Sequence, residues 1–171
     1  MSPIPNSPRF AVDTDFVMAL VEAPDDARDA LALMRERSPA AIVLATNGVL
    51  DELEHFASTP SLGKQATALA AAEAIVESVI QSPQLTAEQI ALARRLADEL
   101  RTRRVILWRE RNDARILAEG VVLGCQMLIS ADGDLHRVER EALRGVLAGQ
   151  GFPPIAILAP RDIVQLLAGR R

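Results

Sequence analysis

The sequence is poor in several residue types, and each shortage closes off a class of protein. There is one cysteine, Cys125, in 171 residues, so an intrachain disulfide framework is excluded. Tyrosine is absent and aromatics make up 3%, too few for the rows of stacking rings on which many single-strand binders are built. No apolar run reaches the roughly 18 residues that a membrane-spanning helix requires. Residues 1–9 carry prolines and serines but no apolar signal-peptide core, and they read as a flexible N-terminal segment. Lysine is nearly missing: Lys64 is the only one among 19 basic residues, the rest being arginine. With a net charge of −4, the surface as a whole does not attract nucleic acid, so any such contact must be local. The expectation is a cytoplasmic protein with no membrane partner.

What is present is 49% hydrophobic residues in a chain long enough to bury a core without metal or disulfide staples. No internal repeat or low-complexity linker interrupts residues 10–171, which read as one domain. Short Val- and Ile-rich runs at Phe10–Asp13, Ala41–Thr46, Val105–Trp108, Gln126–Ser130 and Ile155–Leu158 have the length of buried strands. Helical patterns lie between and after them at Asp25–Arg37, Val49–Ala57, Leu62–Gln81, Ala87–Arg101, Asp113–Gly124, Glu139–Ala148 and Arg161–Leu167. Thr86 followed by Gln89 reads as a capping box, and Ser82-Pro83 separates two helices. Strands alternating with helices imply an α/β fold: a mainly parallel five-stranded sheet with helices on both faces, a single-domain three-layer sandwich. In such sheets a ligand site lies beyond the carboxyl ends of the strands.

That edge is rich in acids. The first strand ends at Asp13, followed by Thr14 and Asp15; the second leads into a helix carrying Asp51 and Glu52. The third expected strand is followed by Asn112-Asp113, and the fourth by Ser130, Asp132 and Asp134. Each acid singly fits a helix first turn or a loop. A doubly wound topology would bring Asp13, Glu52, Asp113 and Asp132 together. Like charges about 4 Å apart repel by roughly 4 kcal/mol at an effective dielectric of 20, so such a set calls for cations or protons. Mg²⁺ and Mn²⁺ take oxygen ligands of this kind and support attack of water on a phosphate ester.

These residues carry a resemblance. Phe10-Ala-Val-Asp-Thr-Asp15, Val49-Leu-Asp-Glu-Leu53, Asn112-Asp-Ala-Arg-Ile-Leu-Ala-Glu119, Leu128-Ile-Ser-Ala-Asp-Gly-Asp-Leu135 and Ile157-Leu-Ala-Pro-Arg-Asp-Ile163 stand in the order found in the PIN domain. The chain resembles that family, a nuclease fold found in the toxin component of many bacterial toxin–antitoxin pairs (VapC-type toxins). By that resemblance Asp13, Glu52, Asp113 and Asp132 match the four family acids. Thr14 and Ser130 match its supporting hydroxyls, and Asn112 the polar residue before the third acid. Asp15 departs from the family, which commonly has asparagine there, and leaves the ligand set open, as does Asp134. The resemblance implies a metal-dependent endoribonuclease acting on single-stranded RNA with Mg²⁺ or Mn²⁺. Asp13, Asp113 and Asp132 would hold the cation, and Glu52 would complete the shell or orient the attacking water. An antitoxin protein that covers the acids, and a homodimer formed through the Ala66–Ala74 face, are the partners it suggests, although an intramolecular helix hairpin needs the same small residues.

Two other functions stay open at this point. Asp13-Thr-Asp15 also fits a haloacid-dehalogenase-like phosphatase with an aspartate nucleophile, with Thr46 and Lys64 in its second and third motifs, although Asp132 and Asp134 are too close for its fourth. A non-catalytic PIN-like RNA-binding or scaffold module is the other, but a scaffold has no need of all four acids. The densest basic stretch is Arg94, Arg95, Arg101, Arg103, Arg104, Arg109, Arg111 and Arg115. It reads as a solvated face from which Arg109 and Arg111, bordering the third acid, stand out as RNA-backbone candidates. His55 and His136 are too separated for a zinc pair, Cys125 reads as a buried thiol, and Trp108 as a core or interface residue.

Overall fold

The computed structural model describes residues 7–22, 25–78 and 80–169. The chain runs β1 (Arg9–Val12), α1 (Thr14–Glu22), α2 (Asp25–Arg37), β2 (Ile42–Ala45), α3 (Asn47–Ser58), α4 (Gln65–Glu77), α5 (Ala87–Thr102), α6 (Arg111–Val122), β3 (Met127–Ile129), α7 (Arg140–Gly149), β4 (Ala156–Leu158) and α8 (Pro160–Ala168). Short 3-10 turns lie at Pro60–Leu62 and Leu135–Arg137. Residues 1–6 of the expected N-terminal segment lie outside the described residues. Arg9 already belongs to β1, and the carbonyl of Pro8 accepts the Ile42 N–H at 2.8 Å.

All pairings are parallel, in the order β2-β1-β3-β4. The chain leaves β1 toward β2 and then crosses back to β3 and β4, so the winding reverses at β1. That is the switch point where α/β sheets open a crevice. Ala11, Val12, Leu128 and Ile129 at the centre of the sheet are fully buried, as continuous apolar runs in parallel sheets are. Around them α3 packs on α4 and α6, α5 on α6, and α1 on α4, while α2 pairs with α8. Among the described residues no helix is long and apolar enough to cross a membrane.

Among the described residues the sheet has four strands, not the five expected. Val105–Trp108 is not a strand, because it stops a helix. Arg104 turns the chain at φ 57°, and the Val105 and Ile106 N–H groups reach back to the Leu100 carbonyl at 2.9 and 3.3 Å. Their side chains are buried, as at the hydrophobic closure of a left-handed helix stop. Leu107 and Trp108 point outward, the latter 62% exposed with the Arg101 guanidinium 4.1 Å over its ring, so Trp108 is not a core residue. On the outer side of β2 a ladder does begin: Gln81 N–H donates to Val43 and its carbonyl accepts from Ala45, both at 2.9 Å. The next residue in that alternation is Pro83, which has no N–H to donate, and the pairing ends as one isolated bridge.

Helix α1 was not expected from the sequence. Phe16, Val17, Met18, Ala19 and Leu20 are all buried, so its segment lacks the polar face that reveals a surface helix. The expected helix over Leu62–Gln81 is shorter, Gln65–Glu77, because Pro60–Leu62 forms its own 3-10 turn before it. The Thr86–Gln89 capping box is formed in both directions, at 2.9 and 3.2 Å.

Candidate active site

Asp13 emerges from β1 at the switch point, only 3% exposed. It stands before α1 in the manner of an N-cap: its Oδ1 accepts the Phe16 N–H at 2.7 Å. Its Oδ2 accepts a short hydrogen bond from the Ser130 hydroxyl, which joins the end of β3 to the end of β1. Ser130 Oγ in turn accepts the Asp132 N–H at 2.9 Å, and Asp132 Oδ1 accepts the Asp134 N–H at 2.9 Å. Parallel strands in register therefore deliver Asp13 and Asp132 to one rim.

The other two acids arrive on helices. Glu52, in the second turn of α3, is gripped from two sides: Thr14 Oγ1 donates to its Oε2 at 2.6 Å, and Asn112 Nδ2 to its Oε1 at 3.2 Å. The Asn112 contact sets the first turn of α6, and with it Asp113, against α3. Asp113 feels the charges of Asp132, Glu110, Glu52 and Asp15, and Asp13 those of Asp15 and Asp113. The carboxyls of Asp13 and Asp113 are each raised to about 7. For Asp13, burial is the main cause, with the bonds from Ser130 and Phe16 pulling the other way. For Asp113 it is burial, followed by Asp132. Asp15 is also raised, first by desolvation and then by Asp132 and Glu52, against the lowering pull of Lys64.

None of Asp13, Asp15, Glu52, Asp113 or Asp132 has an ion-pair partner among the described residues. Asp134 does: it turns to Arg137 at 2.9 Å, on the surface. Arg109 pairs with Glu110 at 2.8 Å and is 76% exposed, while Arg111 opens α6. Every donor at the rim is an oxygen, which suits a hard cation and not zinc. Among the described residues no three His, Cys, Asp or Glu side chains stand close enough to form a ready-made metal cage. Mg²⁺ tolerates that arrangement, because it is commonly bound through one or two carboxylates, waters and a substrate phosphate.

Three features escaped the sequence reading. Glu119, 4% exposed on α6, accepts the Gly48 N–H at 2.7 Å and pairs with Arg115 at 2.8 Å; Arg115 also holds Asp51 at 2.7 Å. The signal was a lone acid inside the apolar run Ile116–Val121. Lys64 places its ammonium 4.8 Å from the Phe56 ring centre, one helical turn along α3 from Glu52. His136 Nε2 lies 2.8 Å from the Ser130 carbonyl. Of the haloacid-dehalogenase-type positions, Thr46 is fully buried with no hydrogen-bond partner for its hydroxyl among the described residues. Cys125 is a buried free thiol pushed up to about 12 by desolvation. His55 is exposed on α3.

No protein-family model and no curated protein matches the chain. Among solved structures, it is similar to a chain of the crystal structure of VapBC2 from Rickettsia felis bound to a DNA fragment from their promoter. The TM-score is 0.58 at 16% identity, over 88% of this chain and 98% of that one. An identity this low establishes a shared fold and nothing finer.

Proposed function

We propose that this chain is a metal-dependent endoribonuclease that hydrolyses phosphodiesters of single-stranded RNA, acting as the toxin of a toxin–antitoxin pair. The observation that carries this reading is a set of carboxylates at the switch point of a parallel sheet, none of which has an ion-pair partner among the described residues. The fold shared with a VapBC2 chain and the ordered PIN-type motifs support the reaction class. In keeping with that family, we read the two helix groups, α2 with α8 and the rest, as covering opposite faces of the sheet.

Mg²⁺ or Mn²⁺, when bound, supplies an activated water and neutralises charge on the phosphorane-like transition state. Asp13, Asp113 and Asp132 are its proposed holders, directly or through bound water. Ser130 and the Phe16 N–H fix the direction of the Asp13 carboxylate and leave one lone pair on each oxygen for the cation. Thr14 and Asn112 fix Glu52, which orients the attacking water. Arg109 and Arg111 border Asp113 and offer charge to RNA phosphates on that side. No covalent intermediate on the enzyme is needed. An antitoxin would answer the same charge by placing an arginine among the acids. A homodimer would use α4, where Leu69 and Val76 are exposed.

The test is cleavage of a fluorogenic single-stranded oligoribonucleotide with Mn²⁺ by the wild type and by Asp13→Asn and Asp113→Asn. Each variant is expected to lose activity by about 10³-fold or more, since each removes a group that acts only with the other acids. Equal activity in all three proteins removes the assignment.

A further inference from the structure

We infer that the free edge of the sheet is a docking groove for an extended, acidic segment of a partner polypeptide, which adds to β4 as a further strand. The groove contains none of Asp13, Glu52, Asp113 and Asp132 and adjoins them only through His136 at the Ser130 carbonyl, and the inference does not depend on the nuclease reading. β4 is the last strand of the sheet, and among the described residues nothing pairs with its outer side. Ala156 N–H bonds to Gln126 and the Leu158 carbonyl accepts from Ser130, so these two residues face β3. In a parallel ladder the residue between them turns the other way, which leaves the Ile157 N–H and C=O directed outward.

Those groups open onto a cavity of about 500 Å³ that runs the whole length of the strand, lined by every residue from Pro154 to Ala159. Its far wall is α7, which presents Arg140, Leu143, Arg144 and Leu147, spaced so that they share one helix face. Leu143 and Leu147 are buried and form the floor with Leu135, while the arginines stand at the rim. A slot between an edge strand and a helix, with apolar pockets below and unused main-chain groups on one side, is the geometry of strand addition. A compact ligand would need only part of it; an extended chain uses all of it.

The charge selects the kind of chain. The slot is lined by Arg140, Arg144 and Arg161 against one carboxylate, Asp162, whose Oδ2 already accepts the Ala159 N–H at 3.1 Å. Arg144 and Arg161 touch Glu141 at 3.4 Å and Asp162 at 4.0 Å, exposed pairs of little strength that a partner's carboxylates can replace. Arg140 has no ion-pair partner among the described residues. A local surplus of arginine in a chain of net charge −4 fits an acidic segment that the rest of the surface repels. The lining holds no Phe, Tyr or Trp on which a nucleobase would stack, and its one aromatic ring, the His136 imidazole, is engaged at the Ser130 carbonyl; this favours peptide over RNA.

The test uses two labelled synthetic peptides, one alternating valine with glutamate and one alternating valine with lysine, and the full-length protein. Fluorescence anisotropy is expected to show saturable binding of the glutamate peptide, about tenfold or more tighter than the lysine peptide. Amide hydrogen exchange at Ile157 should slow on binding. The double variant Arg140→Glu/Arg144→Glu, on exposed positions, should weaken binding by about tenfold with an unchanged circular dichroism spectrum. Asp13→Asn should bind the peptide as the wild type does, which keeps this result distinct from the cleavage test. Equal binding of the two peptides, or unchanged exchange at Ile157, overturns the proposal. So does an oligoribonucleotide that displaces the peptide and protects Ile157 in its place.

Discussion

Asp51 and Glu52 are neighbours on α3, yet they belong to two acid groups that differ in one respect. Asp51 faces Arg115, which also holds the buried Glu119, and Glu119 spends a second bond on the Gly48 N–H. That group contains its own cation. Burial works against the Arg115 charge, but the bonds to Glu119 and Asp51 outweigh it and hold the guanidinium above its usual value. Glu52 faces Thr14, Asn112 and the carboxylates around Asp13, where hydroxyl and amide donors orient the acids without neutralising them. There burial, followed by the neighbouring acids and offset by no ion-pair partner, raises the carboxyls of Asp13 and Asp113 to about 7. A balanced acid cluster needs no further charge; in the proposed function the unbalanced one is held in shape for a cation that comes from outside.

The sharpest way to break this contrast is Asp13→Asn. It should abolish the proposed cleavage by about 10³-fold while raising the stability of the metal-free protein at pH 7, since a buried repelled carboxylate becomes a neutral amide. Activity and urea denaturation measured on one preparation would show the two effects with opposite signs. The mirror experiment is Glu119→Ala, which strands Arg115 and leaves the Gly48 N–H without its acceptor. A loss of about 3 kcal/mol in urea unfolding is expected, without the activity signature of the acid rim.

The pH dependence separates the groups without mutation. The folded chain retains a proton on Asp13 up to about pH 7, whereas the unfolded chain releases it near 3.8. The folded state therefore binds more protons across that window, and its stability falls as pH rises from about 4 to 7, by a few kcal/mol. Chemical denaturation at several pH values should show that decline in wild type, a flatter profile in Asp13→Asn, and partial recovery at pH 7 on adding Mn²⁺. The smallest effect is expected at Gly48→Ala. A Cβ there would stand 2.9 Å from Ile116 Cγ1 and 3.2 Å from Glu119 Oε2, so overpacking should cost about 1–2 kcal/mol by thermal unfolding.

Much of the fold was legible where local signals were strong. Four of the five strand-length apolar runs are strands, and the Thr86–Gln89 box opens α5 where the pattern placed it. The run Val105–Trp108 misled because two buried β-branched residues that close a helix look like half a strand until the backbone turn at Arg104 is known. Helix α1 was hidden by the opposite effect: buried on nearly all sides, TDFVMALVE has no polar stripe to mark its period. At the rim, the acids could be named from their places after strand-like runs. That Thr14 and Asn112 would share Glu52, or that Glu119 would turn away to Gly48, could not, since those partners lie 38 to 71 residues apart in the chain.

Residue order alone settled the α/β class and where along the chain the acids fall, because apolar periodicity and caps act over a few residues and need no knowledge of distant partners. The strand order, the single bridge of Gln81 to the outer side of β2, and the division of α3's adjacent acids into one paired with Arg115 and one without an ion-pair partner were decided by packing. A charge becomes costly or useful only according to what is brought beside it, and that is fixed when β1, β3, α3 and α6 close around the same point.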